Sequence, residues 1–373
     1  MKITFPHMGN MYICVRALLE YLDLDVVVPP PTSKRTLTLG TAVAPEFACL
    51  PLKINLGNFI EARELGADTV IMAGGRGPCR FGYYAQIEKG ILEDLGMELK
   101  MLVIEPPQKS VREFLQEIKD TAGGKSWWTI IRAIRFGWEK IKAVDEIEKE
   151  VMRLRAREEK TGVVDAVYRE ALQAVDRAGS YEELKGAVRE AKERLAAVPL
   201  RKEEDDILRI GITGEIYTLL EPFANLDIER KLGRMGVEVE RSIMLSEWID
   251  EHLFLGLARH NHGHETKRAA RPYINHFVGG HGQETLGSVN RYWQQGFDGV
   301  IQLMPFTCMP EIVAQSVLPR AREELDMPVL TLIVDEHTGE AGFITRLEAF
   351  VDLLRHRKER KREGKLVVPV GRA

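Results

Sequence analysis

The chain has 373 residues, more than one hydrophobic core usually supports, which points to two or three domains. It is 45% hydrophobic and 29% charged with a net charge of −4, the make-up of a globular protein that calls for no nucleic-acid partner. No apolar run reaches the ~18–20 residues of a membrane span, the start MKITFPHMGN carries no signal-peptide core, and four dispersed cysteines are too few for a disulfide framework. The expectation is a cytoplasmic protein without a membrane partner.

Lys2–Phe5 reads as a first strand and Met11–Leu22 as a helix, with Tyr12, Val15, Leu18, Leu19 and Leu22 at helical spacing. Val26–Val28 is a short strand stopped by prolines, and a helix is expected at about Lys53–Leu65. TVIMAGGRGPCRFGYY (69–84) is the most informative stretch. A buried strand, Thr69–Ala73, runs into a glycine-rich turn that delivers Cys79 where open α/β sheets hold ligands. A helix at Tyr84–Leu95 and a strand at Met101–Ile104 complete a parallel, doubly wound domain over 1–107.

Residues 108–206 show no convincing strand and read as an inserted helical domain, with amphipathic runs at Trp138–Lys160 and Tyr181–Ala197. Trp127, Trp128, Ile131, Ile134, Trp138 and Ile141 fall at helical spacing, either as core or as an exposed docking face. At Leu208 the alternation resumes and continues through 207–373. Strands are expected at Leu208–Ile212, Val237–Arg241, Val300–Met304 and Val329–Val334, with a closing helix at Thr345–Lys358. The fold class is α/β, with two Rossmann-like parallel-sheet domains.

The two α/β stretches resemble each other. LGNFIEARELGADTVIMAG (56–74) aligns without gaps on LGSVNRYWQQGFDGVIQLM (286–304), an internal repeat that implies duplication. Cys79 and Cys308 then follow corresponding strands. If the two carboxyl edges face each other, both thiols point into one cleft. FACLP (47–51) and FTCMP (306–310) share the pattern F-x-C-x-P. Proline in the first turn of a helix places Cys308, and less directly Cys49, near a helix N-terminus that favours thiolate.

Three such thiols suit an iron–sulfur cluster or zinc, and dispersed cysteines also occur without any metal. Cys14 reads as a small buried hydrophobe. The loop matching Cys49 in the second half is GGHGQE (279–284), where His281 or Glu284 would meet an open iron or handle protons. His7, Glu46, Arg80 and Glu215 are further loop residues placed to line a cleft. The run His260–His264 and the basic tail Arg355–Lys365 read as solvated segments.

FPHMGNMYI, VPPPTSKRTLTLG, PEFACLPLKINLGNFIEARELGADTVIMAGG, GPCRFGYY, EPFANLDIERKLG, GGHGQETLG, DGVIQLMPFTCMPEIVAQSVLP and LIVDEHTGEAG together resemble the acyl-CoA dehydratase activase-related family. That family is related to the iron–sulfur subunits of 2-hydroxyacyl-CoA dehydratases, to benzoyl-CoA reductases and to double-cubane cluster proteins. The resemblance implies a [4Fe–4S] cluster held by Cys49, Cys79 and Cys308; the catalytic roles expected of His281, Arg80 and Glu284 rest on their loop positions and not on the resemblance, because the relatives' substrate residues have no match in this chain. The resemblance also implies an electron from a separate ATP-hydrolysing activator, a CoA-ester-like small molecule as substrate, and a homologous partner subunit or homodimer. The chain shows no ATPase phosphate-binding signature, so it is expected to be the cluster-bearing side. With four cysteines, one chain is too poor in thiols for a double cubane. A non-catalytic electron-transfer partner and a cluster-free ligand binder are the rival readings.

Overall fold

The computed structural model describes residues 1–75, 77–104, 116, 118–201, 207–253 and 262–363. Among these residues the architecture is α/β, built on two four-stranded parallel sheets. Strands β1 (Lys2–Thr4), β2 (Asp25–Val26), β3 (Thr69–Ala73) and β4 (Lys100–Ile104) lie in the order β2-β1-β3-β4. Strands β5 (Leu208–Gly214), β6 (Val237–Arg241), β7 (Gly299–Pro305) and β8 (Val329–Val334) lie in the order β6-β5-β7-β8. Every pairing is parallel, so each connection must cross a face of its sheet, and helices do the crossing.

The chain forms two compact units, Met1–Val144 with Gln173–Ala187, and Asp145–Leu172 with Val188–Ala373. In unit 1, helix α1 (Met11–Tyr21) follows β1. Helix α2 (Lys34–Val43) starts at a Ser33/Thr36 capping box. The sequence reading assigns no element there, because its threonines and glycine are weak helix formers that yield to a strong cap and to packing. Helix α3 (Leu50–Glu64) begins three residues earlier than expected and is buried on nearly every side, Lys53, Asn55, Asn58 and Glu61 included. Helix α4 (Tyr84–Asp94) leads to β4.

The expected helical stretch contains α5 (Trp127–Arg155), α6 (Val163–Arg177) and α7 (Tyr181–Ala196), and each of the three runs from one unit into the other. Its residues 108–115, 117 and 202–206 lie outside the described residues, as do 260–261 of the His260–His264 run and 364–365 of the basic tail. In unit 1, Gly137 of α5 lies so close to α1 that a methyl group there would sit 2.9 Å from the Cys14 carbonyl oxygen. Cys14 is buried in that contact. The aromatic stripe divides. Ile141 is buried, whereas Trp128 and Ile131 are 75% and 52% exposed.

In unit 2, α8 (Ile216–Leu220), α9 (Ile228–Arg234), α10 (Leu245–Leu253), α11 (His262–Ala270), α12 (Gly282–Gln294), α13 (Met309–Glu324) and α14 (Glu340–Arg362) surround the second sheet. Arg241 at the end of β6 is almost fully buried and bonds Glu148 of α5 and Glu229 of α9. Two carboxylates around one guanidinium offset the desolvation that burial would otherwise cost. No helix among the described residues is long and apolar enough to cross a membrane.

Candidate functional site

In both sheets the strand order reverses direction beside the first strand, between β1 and β3 and between β5 and β7. Crevices at the carboxyl ends of such strands are where this kind of sheet exposes loop backbone and side chains to ligands.

In unit 1 the crevice is framed by loop 5–10 and by residues 74–75 and 77–79. His7 is buried, donates its backbone N–H to Asn58 Oδ1 (3.1 Å) and stacks on Tyr12. Cys79 is half-buried and caps a single 3₁₀ turn, Arg80–Tyr83. Cys49 is the N-cap of α3, with Pro51 in the first turn. The α3 start at Leu50 therefore corrects the looser placement read from the sequence, since Pro51 contributes its fixed φ to the first turn and not to a preceding loop. Cys49 Sγ is hydrogen-bonded to the hydroxyl of Tyr84, itself buried and edge-on to Phe81. Arg80 donates to the Phe47 carbonyl (2.8 Å), tying the loop of Cys79 to the loop of Cys49. Lys53 donates to the Glu46 carbonyl (3.1 Å). Unit 1 thus brings Cys49, Cys79 and Arg80 into one connected set of loops, with Glu46 joined to it through its backbone.

In unit 2, β5 ends at Gly214, whose φ of +144° and close fit against the Leu303 carbonyl leave no room for a side chain. Glu215 follows as the N-cap of α8 and accepts from the N–H groups of Tyr217 and Thr218, both at 2.9 Å. Burial raises its pKa against those bonds. β7 leads through exposed Phe306 to Thr307, which holds a left-handed φ of +66°. A branched residue there is a strained choice, of the kind that clusters at functional sites. Cys308 then caps α13, buried, with Pro310 in the first turn, as the sequence reading expects.

The GGHGQE loop packs onto that turn. A methyl group at Gly282 would lie 2.3 Å from the Pro310 carbonyl oxygen, so only glycine permits the approach. His281 is the N-cap of α12 and lines a cavity of about 40 Å³ with Glu247, Glu251, Thr266 and Glu284. Glu284 and Glu251 share Lys267, at 3.3 and 2.6 Å. Burial opposes the Lys267 charge, but the two carboxylates hold its pKa above the ordinary value.

Two residues escape the sequence reading. Glu311, in the first turn after Cys308, is fully buried and accepts from Thr285 Oγ1 and Gln302 Nε2 (2.9–3.0 Å). Burial pushes its pKa up to about 7. Its signal was an acidic residue directly after a first-turn proline. Tyr84 carried a weaker one, a tyrosine at the start of a helix five residues after a candidate thiol. Among the described residues no group of three or more His, Cys, Asp or Glu side chains is gathered so as to hold a metal ion. Comparison with protein-family models and with curated proteins found no match.

Proposed function

We propose that this protein is the cluster-bearing component of a low-potential one-electron system, similar to 2-hydroxyacyl-CoA dehydratases and benzoyl-CoA reductases. In this reading Cys49, Cys79 and Cys308 hold a [4Fe–4S] cluster, and a separate ATP-hydrolysing activator delivers the electron. The same reading takes the two sheets as duplicated Rossmann-like domains with 108–206 as a helical insert. The observation that carries it is local: each of the three thiols is the N-cap of a helical segment. Unpaired N–H groups at a helix start favour thiolate over thiol, and thiolates are the donors that iron–sulfur clusters take. The support lies in the setting of each sulfur, not in a gathered ligand set.

When bound, such a cluster would supply single electrons and a Lewis-acidic iron beside an acyl-CoA-like substrate. The chain's own residues would do the rest. Tyr84, hydrogen-bonded to Cys49 Sγ, would donate to the thiolate and limit its motion. Arg80 holds the Cys79 loop through the Phe47 carbonyl. His281 and Glu284, the latter steadied by Lys267, are the groups available to move a proton.

Anaerobic purification with iron and sulfide analysis and EPR tests the reading. Wild type is expected to carry about four iron atoms per chain, and Cys49→Ala, Cys79→Ala and Cys308→Ala to lose most of them. Unchanged iron content in all three variants would end it. One observation favours a second reading, a non-catalytic electron-transfer partner: Trp128 and Ile131 stand exposed near the start of α5, as a docking face would.

A further inference from the structure

A groove of about 550 Å³ opens in unit 2 where β8 begins. It lies at the amino end of the sheet, whereas Cys308 follows the carboxyl end of β7. A seven-residue strand separates such ends by roughly 20 Å. The groove is therefore no part of the thiol-bearing crevice, and its interpretation stands apart from the function proposed above.

Its floor is apolar. Pro328, Val329 and Leu330 come from the start of β8, and Phe350 and Leu353 from α14. Leu353 is 52% exposed. β8 is an edge strand, so among the described residues no further strand covers this side. The rim is cationic. Arg322 lies in the last turn of α13, while Arg346 and Arg357 lie along α14. Arg357 is neutralised by Asp326. Arg346 donates to the Thr331 carbonyl (2.6 Å), which holds it at the rim without cancelling its charge. Among the described residues neither Arg322 nor Arg346 has a carboxylate partner. Most other arginines of unit 2 do, as at Arg155, Arg157, Arg241 and Arg320.

Two uncompensated guanidinium groups over an apolar floor select against neutral and cationic ligands. A groove of this volume falls in the range of small-molecule sites. We infer that the groove binds a small amphipathic anion, its acyl or aryl body on the Val329–Leu330–Phe350–Leu353 floor and its carboxylate or phosphate head between Arg322 and Arg346.

Calorimetric titration of the full chain with octanoate, octyl phosphate, octanol and octyltrimethylammonium tests this. Either anion is expected to bind at least tenfold more tightly than octanol, and the cation not to bind. The tighter of the two anions identifies the head group. Arg322→Ala/Arg346→Ala is expected to weaken anion binding about tenfold or more, and Leu353→Asp to weaken it similarly through the floor. Both substitutions sit on exposed positions, and an unchanged circular-dichroism melt establishes that the fold is kept. Arg346→Lys serves as a milder second variant that keeps the charge and is expected to retain most of the binding. Equal binding of octanol and octanoate, or anion affinity unchanged in the double arginine variant, overturns the inference.

Discussion

The helix pair α2–α3 in unit 1 and the pair α11–α12 in unit 2 solve one packing problem with opposite charges. Position by position they are offset by 230. A methyl group at Gly57 would lie 1.9 Å from the Thr36 carbonyl oxygen, and one at Gly287 the same distance from that of Thr266. Thr36 Oγ1 bonds Glu61, while Thr266 Oγ1 bonds Arg291. Arg35 pairs with Glu61 at 2.8 Å, whereas Glu265 pairs with Arg291 at 3.7 Å. The backbone contact is the shared constraint, because two helices can approach this closely only where one has no Cβ. The charge signs are free to differ, because either order makes an ion pair. Their opposition has a consequence: α2 against α12, or α11 against α3, would set like charges together, which disfavours exchange of helices between the units.

The strongest way to break the comparison is at the crossings. Gly57→Ala and Gly287→Ala are each expected to cost about 3 kcal/mol in urea unfolding, because the clash is with backbone that cannot rotate away. Gly40→Ala belongs with them, since its methyl group would lie 1.6 Å from the Lys53 carbonyl oxygen. A loss well below 1 kcal/mol at either crossing glycine would mean the helices are not held at this distance.

Next come the buried carboxyls. Glu88 of α4 is completely buried, and burial pushes its pKa to about 8 against the opposing effect of a hydrogen bond from Asn55. Glu311, with its bonds from Thr285 and Gln302, reaches only about 7. Both values are raised above the ordinary 4.5, so the folded state holds these protons longer than the unfolded one. Stability is full below about pH 4.5 and is lost as pH rises through 7 and 8. Between pH 5 and 9 the unfolding free energy is expected to fall by on the order of 2 kcal/mol or more. Glu88→Gln should remove the part of the loss nearest pH 8, and Glu311→Gln the part nearest pH 7. A flat profile in wild type would refute both assignments.

Position 40 sharpens the contrast. Its counterpart at the 230 offset is Ala270, fully buried in the core of unit 2. Ala270→Gly is expected to cost only about 1 kcal/mol in the same assay, from helix propensity and a lost methyl contact. The smallest effect concerns the charges. Arg35→Glu, at the exposed end of the pair, sets a carboxylate against Glu61 and Glu64 and should lower Tm by about two degrees or more, and adding Glu64→Arg should recover part of the loss. No recovery would show that the pair does not act as a unit.

The strands were largely legible in the chain because buried parallel strands are short apolar runs with sharp ends. Thr69–Ala73, Val237–Arg241 and Val329–Val334 needed no correction. The capping role of Cys308 was legible too, since a following proline marks a first turn. Helix α2 was not, because its composition is weak and its stability comes from the Ser33 cap and the Gly40 and Gly57 contacts.

By itself, then, the amino-acid order determined the alternation of strand and helix, the repeat at an offset of 230, and which thiols sit at strand ends and helix starts. These follow from local periodicity and from the fixed preferences of glycine and proline. Only the tertiary structure decided that Tyr84 reaches Cys49, that Gly282 closes onto Pro310, that Glu88 and Glu311 are stripped of water, and that two arginines at an apolar groove have no carboxylate partner among the described residues. Each depends on residues tens of positions apart meeting in three dimensions, and burial or charge pairing is a property of that meeting, not of either residue alone.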